Sequence, residues 1–120
     1  MTAGERFKRW SPSESDLADM NPVKARDLII QCFFEAQKET FARSRQQLGL
    51  HSSEKEIQGS IASAVKLVMK EVGGDFDHPT KESLTKAVEV LGRKASSWGT
   101  PEDIIEHHKV QIQNALKLLT

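Results

Sequence analysis

The longest stretch of helical patterning in this chain runs from Asn21 to Gly49, and the apolar residues elsewhere are spaced to pack against it. On a wheel at about 100° per residue, Val23, Ile30, Phe34, Phe41 and Leu48 line up as the middle of one stripe. Ile29, Phe33 and Ala36 widen that stripe, whereas Leu28 and Cys32 fall nearly opposite, on the side of Glu35 and Glu39. A helix that is apolar on almost every side over two turns is covered on every side. The spacing therefore predicts one helix over 22–48 whose first half needs two coverings: the other helices on one face, and residues 5–20 or a second copy of the chain on the other. Its second half, with Glu35, Lys38, Glu39, Arg43, Arg45, Gln46 and Gln47, carries an ordinary solvated back.

Helix boundaries follow from the punctuation. Asn21 reads as an N-cap and Pro22 as the first helical residue, where a missing N–H costs nothing. Gly49 reads as the terminator. Ser11-Pro12-Ser13-Glu14 predicts a capping box with Ser11 as the cap, opening a short helix to about Asp19. Ser53-Glu54-Lys55-Glu56 repeats the box, and Ile57, Ile61, Ala64, Val65, Val68 and Val72 give a stripe that Gly73-Gly74 stop. Gly59 either weakens this helix, by about 1 kcal/mol relative to Ala, or marks a close helix crossing. Thr80 caps a helix bearing Leu84, Val88, Leu91, Ala95 and Trp98, which ends at Gly99. Thr100-Pro101-Glu102-Asp103 opens the last, with Pro101 at its first position and Ile105, His108, Ile112, Ala115, Leu116 and Leu119 on its buried side. No stretch alternates like a strand. The expected fold is all-α, an antiparallel bundle of four main helices plus a short N-terminal helix. Residues 1–10 form a basic-aromatic tail and residues 11–120 a single domain.

Composition narrows the function classes. At 120 residues the chain is one domain, and 17 Lys+Arg balance 17 Asp+Glu, so no global field draws nucleic acid or an anionic membrane. A lone cysteine excludes an intrachain disulfide. Met1–Trp10 is charged and lacks an apolar core segment, and the apolar runs are far short of the roughly 20 residues of a spanning helix. These features point to the cytoplasm and to no membrane. Within the tail, Arg6-Phe7-Lys8-Arg9-Trp10 is expected to fold Phe7 and Trp10 back onto the bundle; three cations are too few to favour a phosphate-binding arm.

Candidate chemistry is sparse. Asp75, Asp77 and His78 in one loop, with His107 and His108 on the last helix, supply carboxylate and imidazole ligands of the type metals take. Adjacent histidines diverge by about 100° on a helix, however, and the paired helical ligation motif is absent. His108 lies in an apolar stripe and reads as a core histidine. Asp75 and Asp77 read as partners of the following helix dipole. No cofactor is implied. Cys32, inside a helix with no histidine near it in sequence, reads as a buried apolar residue rather than a nucleophile. Asp27, Gln37 and Ser44 fall on or beside the core stripe and must find polar partners if buried. Gln47-Leu48-Gly49-Leu50 has the look of a helix-turn-helix turn, but Lys55 stands where that motif needs an apolar residue.

The pattern favours a non-enzymatic protein that acts by association, as a homodimer or an accessory subunit, through Leu28, Ile29, Cys32, Phe33, Phe7 and Trp10. A small metal- or ligand-binding protein or enzyme using the His78, His107 and His108 region is the second reading, and a helix-turn-helix-like nucleic-acid binder the third.

Overall fold

The computed structural model describes the backbone of residues 9–48 and 54–119, and the side chains of 9–43 and 54–119. Among the described residues there are five helices: α1 (Glu14–Leu17), α2 (Pro22–Leu48), α3 (Glu54–Glu71), α4 (Lys81–Ser97) and α5 (Glu102–Leu116). No described residue is in a strand. The four long helices form an all-α antiparallel bundle in which α2 packs against α3 and α5 on either side, α4 closes the ring, and α2 meets α4 across the middle. Among the described residues no helix is long and apolar enough to cross a membrane.

The helix starts obey local chemistry, with shifts of one or two residues from the expected caps. Asn21 caps α2 as predicted, its side-chain oxygen accepting from the Lys24 N–H at 2.9 Å. At α1 the cap is Ser13 rather than Ser11. Ser13 Oγ accepts from the Asp16 N–H at 3.2 Å while Asp16 accepts from the Ser13 N–H at 2.8 Å. The box is thus Ser13-Glu14-Ser15-Asp16, and the acidic residue completes it just as Glu would. At α5, Pro101 is the cap and makes no side-chain bond. Thr100 is unavailable to cap because its hydroxyl accepts from Gln37 Nε2 at 3.1 Å in the interior.

The principal difference from expectation lies in the rotation of α2. Its buried face is Ala25, Ile29, Cys32, Phe33, Ala36 and Thr40, flanked by Leu28 and Glu39 on one side and Phe34 and Gln37 on the other. The expected centre, Val23 to Phe41, lies about a third of a turn away. Val23 and Phe41 are exposed there and Ile30 is half-buried. The reason is that three long helices, not one, pack against α2, with α5 and α3 doing so more extensively than α4, and the N-terminal segment packs on the same core. On the other helices the expected stripes hold. Ile61, Val65 and Val68 of α3, Leu84, Val88, Leu91 and Ala95 of α4, and Ile105, Ile112, Ala115 and Leu116 of α5 are buried, joined by Met69 and Ile104. Trp98, expected in the core, is exposed.

The loop between α3 and α4 folds onto the start of α2. Arg26 donates to the Phe76 carbonyl at 2.8 Å, and its guanidinium lies 4.5 Å from the Phe76 ring centroid. Gly74 is held against α4: a Cβ there would come within 2.7 Å of Ser83 Cβ. Gly59, by contrast, has no atom within 4 Å of where its Cβ would be, so no helix crosses closely at that point. The two glycines therefore respond oppositely. In urea unfolding, Gly59→Ala is expected to raise stability by about 1 kcal/mol through helix propensity. Gly74→Ala is expected to lower it by about 1–3 kcal/mol through overpacking. A stabilising Gly74→Ala, or a destabilising Gly59→Ala, contradicts this packing.

Candidate functional site

The residues singled out by the sequence separate into two groups in space, and the larger group gathers where the N-terminal segment meets α2 and α5. Arg9 lies over Glu39, its Nε and Nη2 each donating to one carboxylate oxygen at 2.8 Å. The Glu39 side chain is only 5% exposed. A carboxylate so far from water is stable only when its oxygens are met by charge and hydrogen bonds. Arg43, one turn along α2, supplies the second cation, with Nη2 3.1 Å from Glu39 Oε2. The two arginines are bridged on the outside by Asp103 of α5, which accepts from Arg43 at 2.9 and 3.2 Å and from Arg9 at 3.1 Å. These bonds, those from Arg43 foremost, pull the Asp103 carboxyl down to about 2. The same contacts, led by Glu39, raise the Arg9 guanidinium above its ordinary value.

Trp10 extends the contact. Its carbonyl lies 2.9 Å from His107 Nε2, and a carbonyl only accepts, so His107 carries its proton on Nε2. Ser11 Oγ sits 3.2 Å from the same nitrogen. The Trp10 ring stacks toward His108 with centroids 6.5 Å apart, and His107 meets His108 edge-on at 4.9 Å. His108 is wholly buried and neither ring nitrogen has a protein hydrogen-bond partner. Burial, with His107 beside it, pushes its pKa down to about 4. The imidazole is thus held neutral.

The expected contact face at Leu28, Ile29, Cys32 and Phe33 is interior. All four are 6% exposed or less, and Trp10, Leu17 and Met20 pack against the core they belong to. The second covering of α2 thus comes from the chain's own N-terminal segment, within the 5–20 range, and no apolar face remains there for a partner. Of the tail, Arg9 and Trp10 belong to the folded unit; Phe7 lies outside the described residues. Cys32 is fully buried and the loss of solvation pushes its thiol pKa up, which leaves no thiolate for nucleophilic attack.

The second group, Asp75, Asp77 and His78, does not meet His107 and His108. Asp75 accepts from the Asp77 N–H at 3.0 Å and pairs with His78 Nδ1 at 3.1 Å, closing an exposed turn on itself. The backbone bond from Asp77, with His78 second, lowers the Asp75 pKa. The hydrogen bonds at the α4 terminus come from Thr80 and Ser83, which cap it reciprocally. Among the described residues no three His, Cys, Asp or Glu side chains are arranged to hold a metal ion. Of the three polar residues placed near the core, Gln37 pairs with Thr100, and Asp27 is exposed beside Arg26. Ser44 lies outside the described side chains, as does most of the Gln47–Leu50 turn.

Sequence reasoning did not find Glu39, Arg43 and Asp103. A signal was present: Glu39 falls on the same strip of α2 as Leu28 and Cys32, so covering one covers the other. Comparison of the chain with protein-family models, with curated proteins and with solved structures finds no match in any of the three.

Two outcomes follow from this geometry. Arg9→Ala is expected to destabilise the fold by about 1–2 kcal/mol, at the low end for charged hydrogen bonds because Arg43 still faces Glu39. The loss shrinks in high salt; no change in urea midpoint at low salt overturns the assignment. For His108 the sign is that of a base whose folded pKa lies below its unfolded value. Between about 6.5 and about 4 the unfolded chain binds the extra proton, so stability falls as pH drops through that window, by roughly 3 kcal/mol at most. His108→Leu is expected to flatten this dependence and to raise stability at pH 7 by about 1 kcal/mol. A midpoint that drops with pH equally in both proteins contradicts a buried neutral imidazole.

Proposed function

We propose that this chain acts by association with another polypeptide, as a homodimer or an accessory subunit, rather than by catalysing a reaction. One observation carries the reading: an open cleft of about 390 Å³ between α2, α3 and α4, lined by Phe41, Trp98, Ile57, Ile61, Gln37 and Ser60 with Glu56 at its edge. Two of its aromatic side chains are held out of the core, Phe41 at 37% and Trp98 at 42% exposure. Large aromatic residues around an apolar floor, with amide and hydroxyl groups among them, match the composition of interface hot spots, where tryptophan is enriched. The chemistry-bearing residues are engaged elsewhere in holding the fold: Cys32 and His108 are sealed inside, and His107 holds the N-terminal segment. Leu28 and its neighbours, the contact residues that periodicity suggests, are used internally, which leaves the Phe41–Trp98 cleft as the surface to test.

Sedimentation over a concentration series, in the presence and absence of the Phe41→Ser/Trp98→Ser double substitution, tests the reading. Loss of a tryptophan hot spot costs about 2 kcal/mol or more, so association is expected to weaken by roughly thirtyfold while the unfolding midpoint barely moves. Association of equal strength in both proteins sinks the assignment to this cleft.

A further inference from the structure

The N-terminal segment is a short arm, joined to the start of α2 by a single turn. Residues 9–18 reach the bundle through Arg9 to Glu39 and Asp103, Trp10 to His107 and His108, Ser11 to His107, Leu17 packed on the core, and the Ala18 carbonyl, which accepts from Lys24 Nζ. Its own helix α1 has four residues and buries none of them fully. What it covers is a surface matched to it in charge and polarity. Glu39 is a buried carboxylate shaped for a guanidinium, and the neighbouring Leu28 and His108 need an apolar lid. The connection to α2 is the sharp turn Ala18-Asp19-Met20-Asn21. There Asp19 adopts φ +52°, the only non-glycine positive φ among the described residues. Aspartate tolerates that region better than most residues, but it is still disfavoured for a side chain with a Cβ. Short hinges under strain invite exchange of an element between identical chains, since every docking contact is re-made and only the hinge changes.

We infer that residues 9–18 form an exchangeable arm, and that the α2–α5 surface of Glu39, Asp103, His107, His108 and Leu28 receives the same arm from a second copy of this chain. In the exchanged dimer the residues at the hinge extend, the Asp19 backbone leaves the left-handed region, and each Glu39 meets an Arg9 from the other copy. This deepens the association reading by naming a second copy as a partner, on a surface separate from the Phe41–Trp98 cleft. A tethered arm has an effective concentration in the millimolar range, so the closed monomer competes strongly and exchange rises with protein concentration.

Charge reversal makes the exchange visible. Arg9→Glu alone and Glu39→Arg alone each place like charges at the arm's docking point within one chain. Mixed, the two variants satisfy both docking points only by exchanging arms, so the expected result is a one-to-one dimer absent from either variant alone. A mixture that sediments as two separate monomers overturns the proposal. The doubly substituted chain (Arg9→Glu with Glu39→Arg) restores the pair in cis and reports by circular dichroism whether the reversed charges fold. If Glu39→Arg alone is unfolded, the hinge decides: Asp19→Val, intolerant of positive φ, is expected to raise the dimer fraction severalfold over Asp19→Gly at equal concentration. Equal fractions overturn the proposal. All these variants also carry Phe41→Ser and Trp98→Ser, which removes cleft-mediated association, so any dimer reports the arm alone and either reading can fail without the other.

Discussion

A buried carboxylate on the long helix organises the rest of this structure. Glu39 lies on the strip of α2 that also carries Leu28 and Cys32, and its side chain is nearly sealed from water. Transferring an ionised carboxylate out of water is costly unless charge and hydrogen bonds meet it. The chain meets it twice, with Arg43 from the same helix and with Arg9 from a segment 30 residues away. Each arginine then has donors to spare, and Asp103 at the start of α5 accepts from both. One buried charge thus fixes how the N-terminal segment, α2 and α5 meet.

The histidines belong to the same construction. Once Arg9 is anchored, the next residue, Trp10, falls against the α5 turn that carries His107 and His108. His107 uses its Nε2–H to hold the Trp10 carbonyl, and His108 lies beneath the indole without a protein partner for either nitrogen. Two residues that looked like ligands in the sequence therefore serve opposite ends of one contact, one as a donor and one as a desolvated filler. Their distance in role from Asp75 and His78 is equally physical, since that loop satisfies its own polar groups in a closed turn.

Much of the architecture was legible because it depends on neighbours in sequence. A proline cannot donate, so Pro22 opens a helix; Gly73 and Gly99 adopt φ of +81° and +94° just past α3 and α4 because a left-handed residue is needed there. Apart from Trp98, the expected stripes of α3, α4 and α5 match the buried faces because each of those helices has one buried side. For α2 the same arithmetic failed in a specific way. With apolar residues on nearly all sides, the wheel showed that more than one covering was needed, but the centre of gravity of its apolar positions fell on the least covered flank. Cys32 and Ala25 weigh little on a hydropathy tally yet are almost wholly buried.

What the sequence alone determined, then, is the helices of the described residues, where they start and stop to within a residue or two, and that the first half of α2 is enclosed. Hydrogen bonding within a few residues and a period of 3.6 suffice for that. Only the tertiary structure decided that the enclosure comes from residues 9–20 of the same chain, that Glu39 goes inside with it, and that Phe41 and Trp98 stay out. Those outcomes depend on which helices neighbour α2 and at what rotation. Packing and charge compensation between residues far apart in the chain set both, and no local pattern carries that information.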